Sequence, residues 1–249
     1  MNMQMDFTFE ELTMNALPSL QTILLNGWII RLADGYLQRA NSVIPIYSFD
    51  KDLDEKIKYC ENIYRNNNLP TIFKIIECEE HKNIDKKLEE LRYEKVDLTS
   101  VQICNNIMEK KINLDKIVIE NEFTENWKNC FNFCHKINDK KIIEIKNNIL
   151  KNIKHKIISV NKLVNGTFIG CGYGIIDKGF VGLYDIVVNE EFRGKGYGKE
   201  IVEAILTKAK DIGIKKAYLA VVDKNEIAKK LYSKMGFKEI YKYWYRNKV

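Results

Sequence analysis

Apolar positions along this chain recur with two spacings, near two residues and near four, which mark strands and helices respectively. In the second half, "KIVIE" (Lys116–Glu120) predicts a short strand. "FTENWKNCFNFCHKI" predicts a helix with Thr124 at its N-cap, and "KKIIEIKNNILKNI" a second helix. "KHKIISVNKLV" and "TFIGCGYGII" read as strands joined by an Asn165-Gly166 turn, and Asp177–Gly179 turns the chain into another strand, Phe180–Val188. Next come a helical stripe of Ile201, Val202, Ile205, Leu206, Ala209 and Ile212 stopped by Gly213, and the strand Lys215–Val222. A helix over Asn225–Phe237, with Asn225 as cap and Gly236 as stop, and a strand over Tyr241–Arg246 close the half.

The first half repeats part of this plan. Gly27–Ile46 reads as a hairpin about Asp34-Gly35, and Leu53–Asn68 as a helix with Leu53, Ile57, Cys60 and Tyr64 on one face. "TIFKII" (Thr71–Ile76) is a strand, Ile84–Lys95 a helix and "VDLTSVQIC" a final strand. "LEELRYEK" in this half parallels "YSKMGFKE" in the other, which suggests a worn copy. An unrelated α/β capping domain is the alternative.

The stretch "NEEFRGKGYGKEIVEAI" (Asn189–Ile205) carries the candidate chemistry. Gly194, Gly196 and Gly198 alternate with Lys195 and Tyr197, between an apolar strand and a helix. Free amides and the positive end of a helix dipole gather at such a turn, and glycine lets an anion approach them. The dinucleotide spacing G-x-G-x-x-G fails because Lys199 takes its last position, and the P-loop spacing fails as well.

What remains, Arg-x-x-Gly-x-Gly from Arg193 to Gly198, resembles the pyrophosphate loop of the GCN5-related N-acetyltransferase (GNAT) superfamily. The order β-α-α-β-β-β-α-β-α-β from Asp115 to Val249 is similar to that family's fold. The resemblance implies an α/β (α+β) fold with a mixed, mostly antiparallel sheet flanked by helices. It would have two GNAT-like halves, a degenerate one over 1–110 and an acetyl-CoA-binding one over 115–249. It implies N-acetyl transfer from acetyl-CoA to a primary amine. By that resemblance, the backbone of Ile186, Val187 and Val188 pairs with the pantetheine arm. The turn Arg193, Gly194, Lys195, Gly196, Tyr197, Gly198 and Lys199 holds the pyrophosphate, and Asn225 contacts the arm as well as capping its helix. Tyr232 then supplies a proton to the departing thiolate. Asp185, on the strand before the loop, is the nearest carboxylate to serve as base; an ion-paired strand residue is the competing reading. In the first half, "YSFDKDLDEK" places carboxylates where the glycines should be, and Leu88 falls at the position of Tyr232.

Composition narrows these readings. The net charge of +6 comes from 40 basic and 34 acidic residues that are mixed along the chain, with no basic block of the kind that binds nucleic acid. No apolar run reaches a membrane span, and no secretory signal opens the sequence. The 6 cysteines show no metal-ligand spacing, so free thiols in a reducing cytoplasm are expected and a metal is not. A CoA-responsive binding protein without turnover, or an enzyme for another acyl group or a peptide N-terminus, would share the same loop. Sequence alone names neither the acceptor nor the oligomeric state.

Overall fold

The computed structural model describes residues 7–47, 52–108 and 115–248. The first half contains α1 (Thr8–Ala16), β1 (Gln21–Leu25), β2 (Trp28–Leu32), β3 (Val43–Pro45), α2 (Leu53–Asn66), β4 (Ile72–Ile76), α3 (Lys82–Glu90) and β5 (Glu94–Cys104). Its tight hairpin turn falls at Asn26-Gly27, joining β1 to β2, and not at Asp34-Gly35. β2 and β3 do pair antiparallel, from Trp28↔Pro45 to Ile30↔Val43, but a longer connection with a 3-10 turn over Gln38–Ala40 separates them. The acidic stretch "YSFDKDLDEK" lies partly outside the described residues, as does the expected boundary between 110 and 115.

The second half follows its apolar pattern closely. It contains β6 (Ile117–Glu120), α4 (Glu125–His135), α5 (Lys140–Lys151), β7 (Lys156–Val164), β8 (Thr167–Asp177), β9 (Phe180–Val188), α6 (Tyr197–Asp211), β10 (Lys216–Val222), α7 (Glu226–Lys234) and β11 (Lys238–Asn247). The Thr124 hydroxyl accepts from the Trp127 amide and the Asn225 side chain from the Ala228 amide, so both expected caps form.

Among the described residues, eleven strands join one sheet in the order β1-β2-β3-β4-β11-β5-β10-β9-β8-β7-β6. Pairing is antiparallel except at β3–β4 and β9–β10. The middle of the sheet is an exchange. β11 lies between β4 and β5, and β5 lies between β11 and β10. Each half therefore sends its last strand into the other.

Helices cover both faces. α6 and α7 set Ile201, Ile205 and Tyr232 against Val160, Val181 and Leu219 of the sheet. On the opposite face Trp127 and Phe131 of α4 pack with Tyr173, Tyr184 and Tyr218. α5 reaches across to the first half: Ile145 and Ile149 bury against Leu17, Ala33 and Ala40.

Candidate active site

Two neighbouring strands part company at the centre of the second half. The parallel pairing of β9 with β10 ends at Leu183↔Leu219, although β9 continues to Val188 and β10 to Val222. A bulge in β9 turns it away. Cys171 pairs with Val187 and Tyr173 with Tyr184, so Asp185 and Ile186 together face the single residue Gly172. Asp185 takes a left-handed conformation, φ 49°, to make the extra step. A side chain at residue 172 would obstruct it, since a Cβ there would lie 2.5 Å from Ile186 Cδ1.

The parting leaves a cavity of about 480 Å³. Asp185, Ile186, Asn225 and Tyr232 line it together, although more than forty residues separate Asp185 from Tyr232 in sequence. Val187 and Val188 do not line it. Their side chains pack into opposite layers, Val187 toward α4 and Val188 toward α6.

Beyond Val188 the chain enters the glycine turn. The Asn189 side chain accepts from the Glu191 amide and so caps a short 3-10 turn over Glu190–Phe192. Gly194 and Gly196 then take φ 78° and 86°, a region open to glycine at little cost, and nothing lies within 4 Å of where their Cβ atoms would stand. The amides of Gly194, Lys195, Gly196, Tyr197 and Gly198 have no acceptor among the described residues. These amides sit at the N-terminus of α6, so the positive end of its dipole adds to them. The cations are less free. Arg193 Nε donates to the Val188 carbonyl at 3.1 Å, Lys195 Nζ lies over the Phe192 ring, and Lys199 is 3.9 Å from Glu203.

Tyr232 is 8% exposed and stands on α7, edge-to-face with Phe237. Burial pushes its phenol up to about 12, so the group remains a neutral O–H donor at neutral pH. Its hydroxyl has no acceptor among the described residues. Asn225 combines two placements: its oxygen caps α7 and the residue also walls the cavity. In the first half Leu88 is fully buried with Ile57, Tyr64 and Tyr93.

Asp185 meets a partner that sequence reasoning missed. Its Oδ1 accepts from Arg39 NH2 at 3.1 Å, across the boundary between halves. Arg39 rides on the 3-10 turn between β2 and β3, inside what reads in sequence as hairpin strand. Burial alone would lower the Arg39 guanidinium, but Asp185 and nearby tyrosines outweigh it and hold the group above its ordinary range. Asp97 and Thr99 of β5 and Tyr243 and Tyr245 of β11 complete that side of the cavity. No local motif announces these residues; the exchanged strands bring them in. Among the described residues no group of His, Cys, Asp and Glu is arranged to hold a metal. No described helix is long and apolar enough to cross a membrane.

The site is thus a sheet parted beside a bulge, with a glycine turn leading into a helix. The profile of the Acetyltransferase (GNAT) family matches residues 119–237. Just under half of the chain is thus similar to a GNAT domain. It is 28% identical over 228 residues to "Uncharacterized N-acetyltransferase YobR" of Bacillus subtilis, covering 90% of this chain and 91% of that one. A GCN5-related N-acetyltransferase from Kribbella flavida superposes with a TM-score of 0.67 at 10% identity, covering 92% of this chain and 89% of that one. A tandem GNAT protein from the clavulanic acid biosynthesis pathway superposes at 0.64 with 8% identity, over 83% and 75% of the two chains. At such identities the superpositions speak for the fold alone.

Proposed function

We propose that this chain transfers the acetyl group of acetyl-CoA to a primary amine by direct attack within a ternary complex. The observation that carries this reading is the opening between β9 and β10 followed, a few residues along the chain, by a row of amides from Gly194 to Gly198 with no acceptor among the described residues. The opened edge of β9, at Ile186 to Val188, offers backbone groups to an extended amide-bearing chain, and the amide row offers donors to a pyrophosphate. A β9 amide on the edge that β10 leaves serves the thioester oxygen as charge develops on it.

The acceptor amine attacks the thioester carbonyl carbon; a C–N bond forms and the C–S bond breaks. The proton lost by nitrogen goes to Asp185, directly or through water. Oδ2 is the oxygen offered, because Oδ1 is engaged by Arg39. Tyr232 gives its proton to the thiolate. An exposed thiol near 8.5 would be a poor match for a phenol near 12. The departing sulfur, however, develops its charge in the same buried surroundings, which raise a thiol as they raise a phenol. The first half has neither the glycine turn nor the tyrosine, so one acetyl-CoA is expected per chain.

Titration calorimetry with acetyl-CoA tests the reading. A stoichiometry near one is expected for the parent, with binding lost in a folded Gly196→Val variant. No heat with the parent, undiminished binding to the variant, or a stoichiometry near two would each overturn it.

A further inference from the structure

Resting on that reading of the cavity, we propose that the acceptor is an amino-acid-like molecule. It would carry a carboxylate as well as the reacting amine, and Arg39 of the first half would receive that carboxylate.

Arg39 is held as a binding group is held. The Arg31 guanidinium donates to the Arg39 carbonyl and to the Leu17 carbonyl. The Asn41 oxygen accepts from the amides of Ala33 and Gly35 at 3.0 and 3.3 Å, closing the connection on itself. Ala40 is fully buried against Ile145 and Ile149 of α5. The backbone that bears Arg39 is therefore fixed from three sides.

The side chain is fixed less completely. A guanidinium has five N–H donors. Arg39 commits NH2 to Asp185, and no other acceptor for its side chain is found among the described residues. The side chain is 31% exposed and stands on the cavity wall, with Tyr243 and Tyr245 beside it. A partly dry fork of parallel N–H groups is the geometry that takes a carboxylate through two bonds.

Charge balance points the same way. The cavity wall carries Arg39 against Asp185 and Asp97. Asp185 is neutralised by Arg39, whereas the exposed Asp97 carboxylate has no cation partner among the described ion pairs. A zwitterion meets both remaining needs. Its ammonium is drawn toward Asp97 before losing a proton, and its carboxylate shares Arg39 with Asp185. A polycation would leave the Arg39 donors unused and meet a like charge, while a plain alkylamine would use only half the site. A volume of about 480 Å³, shared with the acyl end, suits a small molecule.

The test uses the full chain, acetyl-CoA and a mixed acceptor pool. One set is α-, β- and γ-amino acids; the other is the matching amines without the carboxylate. Products are identified by mass, and kcat and KM are then measured for the best member of each set. The amino-acid set should be preferred at least tenfold in kcat/KM. In Arg39→Met the loss for the amino acid should exceed the loss for the matching amine by about 10–100-fold, as for a charge-assisted pair, and should appear mainly in KM. Arg39→Lys, which keeps the charge without the fork, should recover only part. Equal losses for both sets would reduce Arg39 to a tie for Asp185 and end the proposal. Preference for the carboxylate-free amines would do the same, as would acetyl-CoA binding without acetylation of any amino acid in the pool. A chain that fails to bind acetyl-CoA in calorimetry fails at the earlier reading instead.

Discussion

Burial sets both the packing and the acid strength of Tyr232. The ring packs against Phe237 beneath α7, and the same loss of water holds the phenol at about 12. Tyr232→Phe keeps the ring and removes only the proton. If Tyr232 protonates the thiolate, kcat should fall by about 10²–10⁴-fold with acetyl-CoA affinity little changed. Because the pKa is raised, the acid form persists as pH rises, and the parent kcat should show no decline from phenol ionisation between pH 7 and 10. Normal turnover with a small loss of thermal stability would reassign the residue to packing. Asp185 could not be placed from sequence for a local reason. Strand alternation assigns faces only while the pairing is regular, and Asp185 sits in the bulge itself at φ 49°.

The bulge belongs to β8 as much as to β9, because Gly172 vacates the space that Ile186 fills. Gly172→Ala should cost about 1–3 kcal/mol by overpacking and should weaken acetyl-CoA as β9 is pushed out of position. Adding Ile186→Ala removes the closest collision and should return part of the stability, a coupling that a double-mutant cycle reads directly. A Gly172→Ala protein as stable as the parent would show that the bulge does not depend on this contact. Elements with strong patterns were legible in the sequence. α6 runs over the apolar stripe from Ile201 to Ala209 and ends before Gly213, and β10 and α7 follow as their residues suggest. β1 was not legible, since "QTILL" lies at the sheet edge and has no fully buried position. α1 was missed too, being short, with a buried Glu10 that breaks its apolar face. Glu10 is buried because Lys74 lies 2.6 Å away and the Tyr241 hydroxyl donates to it, and neither partner is near in sequence.

Across the whole molecule, the glycine turn, Tyr232 and Asn225 could be read from one half, but the wall bearing Arg39, Asp97 and Tyr243 could not. That wall depends on strand pairing at long sequence separation. We propose that the two halves, 1–110 and 115–249, are copies of one plan that cannot be pulled apart. β11 places Tyr241, Tyr243 and Tyr245 in a core made otherwise of first-half residues such as Phe7, Ile44 and Ile72. Burying those three rings is worth about 5–9 kcal/mol, comparable to the whole stability of an ordinary domain. Residues 1–104 expressed alone should therefore show no cooperative melting by circular dichroism, and co-expression with 115–249 should restore a soluble complex. A sharp transition in the isolated first half would refute that dependence.

The exchanged strands also govern how the protein is made. β11 follows every other strand in chain order, yet its place is between β4 and β5. During translation the first half leaves the ribosome without the strand that lies between β4 and β5, and its core stays unsettled. The β4 and β5 edges that β11 will pair remain unmatched while the remaining strands are synthesised, and β11 must join both instead of adding at a margin. A pause, or a second nascent chain nearby, gives those edges time to accept the wrong strand. The hazard for this protein therefore lies in the interval before β11 emerges, when another copy's β11 fits that place as well as its own.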